Sequence, residues 1–309
     1  MNELTVARHS RFVDPQLHVW GWEIPVYLFL GGLAAGAMIL TAILAGREGA
    51  RSRAARWLTF AAPVLVSLGM GALFLDLANK AHVFRFYLAF RWTSPMSWGA
   101  WILLVVYPVS LLAALAALTG DEVGSLASRL GPLGGSLRAA HAFASARAAP
   151  LRRWSIGTGA ALGVYTGILL SALGARALWG SALLGPIFLV SGLSTGAAFM
   201  MLFRVTPDER HLLARWDLGL IGVEALLLVL FLLGLAGGDA ASQGAAGLLL
   251  GGRFTAQFWA LVVVAGLAVP AALEALEFRL HLRPTLVAPA LVLAGGLSLR
   301  WILVAAGQL

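Results

Sequence analysis

Four ionisable residues stand inside stretches of sequence that are otherwise apolar: Asp217, Glu224, Glu274 and Arg300. Asp217 and Glu224 are one heptad apart, which puts both carboxylates on one face of a helix. Inserting one charge into a bilayer costs roughly 3 kcal/mol on the translocon scale, so an intramembrane ionisable residue points to function by default. The chemistry such a set can do is proton relay, along a polar route through an apolar interior. The structural alternative carries equal weight: Arg300 paired with Glu224 or Asp76 as a buried ion pair that holds two helices together.

A second group lies near the ends of apolar runs and combines phenol, imidazole, indole and carboxylate: Trp22, Glu23, Tyr27, Asp76, His82 and, in a later run, Tyr165. Phenol and imidazole can donate hydrogen bonds to carbonyl oxygens, carboxylates can deliver protons, and the surrounding apolar residues can wall a ring and tail. A quinone needs these features in a pocket at membrane depth. Taken singly, each residue has a simpler reading, since Trp and Tyr gather at the headgroup level of any membrane protein and terminal carboxylates snorkel. Only their convergence would make a site. A third group, Arg85, Arg91 and Trp92, falls in the polar and aromatic segment between the second and third runs; it suits docking of an acidic protein surface, or ordinary headgroup contact.

The elements that must position these residues follow from composition. The 309 residues are 60% hydrophobic and 12% charged, with a mean hydropathy of +0.87, outside the soluble globular range. Eight runs reach the ~20 residues that a helix needs to cross ~30 Å of hydrocarbon: Ile24–Gly46, Trp57–Asn79, Ser97–Thr119, Trp154–Arg176, Ser181–Phe203, Ala214–Gly237, Arg253–Ala275 and Arg283–Gly307. They must be helices, because lipid leaves no water to satisfy an open backbone. The expected fold is an all-α integral membrane protein of eight transmembrane helices in two four-helix bundles. A polar segment 1–23 precedes the transmembrane domain 24–309, whose longest loop is 120–153. That loop, rich in Ala, Gly and Arg, is either an amphipathic segment on anionic lipid or a solvated connector.

Lys and Arg set the orientation. Seven lie on the side of the termini and fourteen on the other. Both termini are therefore expected in the periplasm and the 120–153 loop in the cytoplasm of a bacterial inner membrane. The net charge of +8 is explained by this asymmetry, so nucleic acid is not expected as a partner. With no cysteine, the protein can supply no thiolate ligand for an iron–sulfur cluster. The six histidines, His9, His18, His82, His141, His211 and His281, are read as lying in loops or tails, which leaves no axial pair for haem b and no metal site. A secondary transporter, with charges at midplane and broken helices, is the rival from another class; Pro63, Pro108, Pro186, Pro270 and Pro289 do lie within runs, but single prolines commonly make packing kinks.

The sequence resembles the NrfD/PsrC-type membrane subunits of polysulfide reductase and related molybdopterin- or cytochrome-linked complexes. The resemblance rests on Trp20-Gly-Trp-Glu-Ile-Pro-Val-Tyr-Leu-Phe-Leu-Gly-Gly-Leu-Ala-Ala-Gly36, Arg91-Trp-Thr-Ser-Pro-Met-Ser-Trp-Gly-Ala-Trp101, Tyr165-Thr-Gly-Ile-Leu-Leu170, Leu193-Ser-Thr-Gly-Ala-Ala198, Gly295-Gly-Leu-Ser-Leu-Arg-Trp301 and Ala306-Gly-Gln308, in family order. It implies a subunit that exchanges electrons between a periplasmic four-cluster iron–sulfur protein and a membrane quinone, menaquinone or ubiquinone, beside a molybdopterin or cytochrome c catalytic subunit. By the same resemblance Tyr165 corresponds to a tyrosine that touches the quinone head. Tyr27 stands where polysulfide reductase has a quinone-contacting histidine, and Asp76 resembles the acidic residue closing the second span. A structural anchor without quinone chemistry of its own is the alternative within this family.

Overall fold

Apolar runs of this length fold as helices in the computed structural model, which describes residues 20–47, 52–77, 80–88, 90–172, 176–280 and 284–309. Positions 1–19, and with them most of the 1–23 segment, lie outside the described residues, as do Asn79, His281 and Arg283. The longer helices are α1 (Glu23–Ala45), α2 (Arg53–Asp76, with a 3₁₀ turn at Leu58–Phe60), α3 (Pro95–Ala117), α4 (Gly120–Arg129), α5 (Gly134–Ala146), α6 (Ala148–Ser171), α7 (Leu184–Met201), α8 (Pro207–Ala236), α9 (Ala240–Leu250), α10 (Thr255–Leu280) and α11 (Val287–Gly307), with single helical turns at Lys80–His82, Arg85–Leu88 and Gly131–Leu133. Among the described residues there is no strand.

Seven of these helices, α1, α2, α3, α7, α8, α10 and α11, are long and apolar enough to cross a membrane. The protein is an integral membrane protein. Helix α6 is as long as they are but less apolar, being rich in Gly, Ser and Thr and carrying Arg152 and Arg153. It packs against α1, α3 and α7, so helices cover most of its length, and small residues let those backbones approach.

Packing divides the long helices into two groups. One joins α1, α2, α3 and α6, the other α7, α8, α10 and α11, and the seam between them runs along α1 and α7, the two most buried spans. Close approach at that seam needs glycine. A Cβ on Gly36 would overlap the carbonyl of Gly192, and one on Gly196 would come within 2.8 Å of the Gly36 backbone. Gly192 faces Gly32 and Gly196 faces Gly36, which makes α1 and α7 parallel, whereas Gly159 meets Ile39 and Gly163 meets both Ala35 and Leu189 while Gly167 meets Leu184, which makes α6 antiparallel to both.

The two ends of the bundle are tied differently. At one end Trp20 and Gln308 exchange two hydrogen bonds: the Trp20 N–H donates to Oε1 at 3.0 Å, and Nε2 donates to the Trp20 carbonyl at 3.1 Å. Beside them the indole of Trp179 donates to Leu303 O at 2.8 Å and stacks on Trp20. At the other end Glu122 accepts from Arg56 and Trp57, and Glu209 accepts from the Ser52 N–H. Both glutamates also close capping boxes, with Thr119 and Thr206, so each starts a helix and moors it, Glu122 to the first turns of α2 and Glu209 to Ser52 just before it.

Three sequence expectations need correction. The 120–153 segment, expected as an amphipathic segment or a connector, is helical: α4 and α5 form a hairpin that turns at Gly131, whose φ of +55° suits glycine, and what needs correcting is the start of α6, at Ala148, six residues before the expected span. His211 lies inside α8 against Phe278, and His141 lies inside α5, so these two histidines are helical rather than in loops. Finally, Phe258–Ala268 of α10 is a π-helix. Pro270 follows it; proline lacks an N–H and its ring clashes with the carbonyl four residues back, a conflict that wider turns relieve.

Candidate functional site: a tyrosine-lined cavity and a buried polar network

The first helix group encloses a cavity of about 390 Å³ near the Trp20–Gln308 end, bordered by α1, α2, α3, α6 and the segment before α3. Its walls include Met70, Phe74, Met96 and Leu103, and its polar groups are the phenols of Tyr27, Tyr87 and Tyr165. Tyr27 and Tyr165 are each only 5% exposed, and their phenols are neighbours across the cavity. Helix α1 supplies Tyr27 from its first turns, and α6 supplies Tyr165 from the far side of the cavity. Gly99 of α3 gives the ring of Tyr165 its room.

Two residues singled out from sequence, Tyr27 and Tyr165, thus meet in one cavity. Tyr87 was missed, because it lies in a polar segment between spans where an aromatic residue reads as belt. Burial, and then the neighbouring phenol of Tyr107, raise the Tyr87 hydroxyl above its ordinary pKa, which keeps it a proton donor. Tyr107 itself shares a 3.0 Å hydrogen bond with Ser67, so all four tyrosines of the sequence gather in this part of the first group.

The remaining members of that set stand outside the wall. Asp76 closes α2 between the lining residues Phe74 and Leu77, half-buried and within electrostatic reach of Glu23. Glu23 folds back over Gly21, Trp22 is 49% exposed at the start of α1, and His82 is exposed beside Phe84. On the same end of the bundle Arg91 is exposed, with its N–H bonded to Ser97, and Trp92 is 76% exposed against Phe90; the side chain of Arg85 lies outside the described residues.

The four interior charges fall in the second helix group. Asp217 is fully buried and accepts from Ser194 at 2.5 Å. Glu274 adjoins it, buried, and on the far side of Glu274 come Glu277 and Arg210 at the α4–α5 end. One heptad along α8 from Asp217, Glu224 meets the hydroxyl of Ser191. Ser191 also accepts from Arg300 Nη1 at 3.1 Å, and Arg300 makes further bonds to Gly296 O and Phe188 O. The guanidinium lies over the ring of Phe188 and beside Gly32 of α1, next to Gly31, which touches Thr166 beside Tyr165. Ser191 therefore stands between acid and base. Asp217 Oδ2, both Glu274 carboxylate oxygens and Arg300 Nε have no hydrogen-bond partner among the described residues. Buried polar atoms of this kind call for water or a proton.

This geometry occurs in a sequence that matches the family described as "Polysulphide reductase, NrfD" over residues 10–309. The chain belongs to the NrfD family. It is similar to "Protein NrfD" of Escherichia coli K12, with 33% identity over 306 residues covering 94% of this sequence and 95% of that one. It is similar to the C subunit of polysulfide reductase from Wolinella succinogenes, at 32% identity and 94% of each sequence, and to "Protein NrfD homolog" of Haemophilus influenzae, at 26% over 270 residues and 84% of each. The NrfD relationship spans both helix groups, so the tyrosine cavity and the polar network both fall within the matched region.

Proposed function

We propose that this protein is the quinone-reactive membrane subunit of a bacterial respiratory oxidoreductase, and that the observation carrying the reading is the cavity in which Tyr27, Tyr87 and Tyr165 converge. The fit rests on chemistry and size: apolar walls, phenol donors buried at membrane depth, and a volume within the roughly 300–1,000 Å³ of small-molecule sites. Quinone, when bound, supplies a two-electron, two-proton couple dissolved in the bilayer. Tyr165 and Tyr27 hold its head by hydrogen bonds, Met70, Phe74 and Leu103 exclude water, and Asp76 and Glu23 hold protons near the cavity. Glu277, Glu274, Asp217, Glu224 and Arg300 form a polar route from the opposite end. The relative named as a subunit of polysulfide reductase favours a place in a multi-subunit complex.

Eight spans with both termini on one side are favoured over seven by the Trp20–Gln308 pair, which brings the start of α1 to the end of α11. The Lys and Arg count favours the periplasm of a bacterial inner membrane for these ends, with the segment around Arg85, Arg91 and Trp92 toward a periplasmic four-cluster iron–sulfur subunit. A molybdopterin or cytochrome c subunit lies beyond it. The test is the intact complex purified in mild detergent. Bound quinone should be recovered, and Tyr165→Phe should lower quinone-linked turnover about five- to tenfold, the worth of one hydrogen bond of about 1–1.5 kcal/mol. No quinone and unchanged turnover would make the protein a structural anchor.

A further inference from the structure

A second concavity, larger than the first, lies on the outer face of the bundle between α3 and α6. It holds about 730 Å³ and has no direct part in the tyrosine site. Trp98, Trp101 and Val105 of α3 form one wall; Gly157 and Ala161 of α6 form the other, and these small side chains are what leaves the space open. The end toward the periplasmic segment is closed by an aromatic group in which Phe90 packs edge-on to Trp92 and Trp101, and Trp98 Nε1 donates to Trp92 O at 2.9 Å. At the opposite end stands Arg153, beside Trp154.

Arg153 makes no hydrogen bond or ion pair with any described residue, and no carboxylate lines the groove. Arg147 and Arg152 precede it at the same helix end, next to the α4–α5 hairpin. Arg152 turns instead to Gly46 of α1 and Arg147 to Phe143, so Arg153 is the guanidinium that opens on this largely apolar channel, and it is complementary to a molecule with an anionic head and apolar tails. From Arg153 to Ala161 is eight residues, or ~12 Å along α6, most of the ~15 Å depth of one leaflet. We propose that this groove is a site for one anionic phospholipid, its phosphate on Arg153 and an acyl tail along Gly157 and Ala161 toward Trp101. Bulk lipid would fill the same space. The guanidinium makes the difference, since charge-assisted bonds to phosphate oxygens favour an exposed anionic head over a zwitterionic one.

The full-length protein in mild detergent, examined by native mass spectrometry with phosphatidylglycerol and phosphatidylcholine of matched acyl length, tests this. The expected result is one retained phosphatidylglycerol at about tenfold preference. Arg153→Gln should bring the preference close to unity without loss of helix content, as the side chain is exposed, and Ala161→Phe should reduce retention of both lipids. Should Ala161→Phe fail to fold, the Arg153→Gln comparison decides. Equal retention of the two lipids by the unmodified protein, or an unaltered preference in Arg153→Gln, overturns the proposal. So does a photo-crosslinker at Ala161 that captures a partner polypeptide and no lipid in the intact complex.

Discussion

A Cβ placed on Gly99 would overlap the hydroxyl of Tyr165, so the α3 glycine is the space into which the α6 phenol fits. Tyr165 in turn neighbours Tyr27, which makes Gly99 a determinant of the whole cavity although it carries no chemistry of its own. Gly99→Ala should move the phenol and lower quinone-linked turnover at least as far as Tyr165→Phe does. Its stability cost should be small, about 0–2 kcal/mol, because overpacking of ~1–3 kcal/mol is offset by the ~1 kcal/mol that alanine gains over glycine in a helix. Turnover at saturating and limiting quinone, beside thermal unfolding in detergent, checks both halves. Unchanged turnover would remove Tyr165 from the site.

Ser191 couples Arg300 to Glu224 without direct contact between the charges being needed, and this bears on whether the buried residues are a relay or a brace. Glu224→Gln keeps the side-chain shape and a partner for Ser191 but cannot carry a proton. Turnover and proton uptake in liposomes should both fall, by at least roughly tenfold where an acid–base group is removed, with the helix packing retained. If both rates are unchanged, the residues serve only as a structural network.

The long helices were legible because apolar runs of membrane-spanning length have few other solutions, and the Asp217–Glu224 face because a heptad is nearly two turns. Tyr27 and Tyr165 could be named from their residue type, but their meeting depends on how α1 and α6 cross, which no local pattern states. Tyr87 and Gly99 escaped for related reasons: one looks like an interfacial aromatic, the other like any small packing residue. The hairpin of α4 and α5 was hidden by an Ala-, Gly- and Arg-rich composition in which connector and interfacial helix look alike. The π turns of α10 left only Pro270 as a trace. Glu122 stands in a Thr-x-x-Glu helix start that sequence can show, but its contacts with Arg56 and Trp57 depend on tertiary packing that sequence cannot.

Glu122 gives a pH dependence outside the membrane. The hydrogen bond from Arg56, aided by the Thr119 N–H and the Trp57 indole, lowers its pKa to about 2. A carboxylate whose folded pKa lies below its unfolded value near ~4.3 adds stability that is complete above the unfolded value and is lost as pH falls toward the folded one. The mooring of α4 to α2 should therefore weaken between about pH 4.5 and about pH 2. Thermal unfolding followed over this range should show an acid limb that Glu122→Gln flattens, at the cost of lower stability near pH 7. Parallel acid limbs in the two proteins would separate Glu122 from the effect.

Gln308 offers the sharpest test of how the ends of the bundle are held. Its amide satisfies both backbone groups of Trp20 in a part-buried setting, so that the last helix secures the entry to the first across 288 positions of sequence. Gln308→Leu preserves much of the apolar bulk and removes both bonds, leaving a backbone donor and acceptor at Trp20 without that partner. Such a loss costs about 1–3 kcal/mol. The loosened segment leads directly into Glu23 and Tyr27, so quinone turnover should decline together with the thermal midpoint. Gln308→Glu supplies the control: it can still accept from the Trp20 N–H but cannot donate to the carbonyl, and should fall between the two. An unfolding midpoint in Gln308→Leu equal to that of the unmodified protein would show that the contact contributes nothing to closing the bundle.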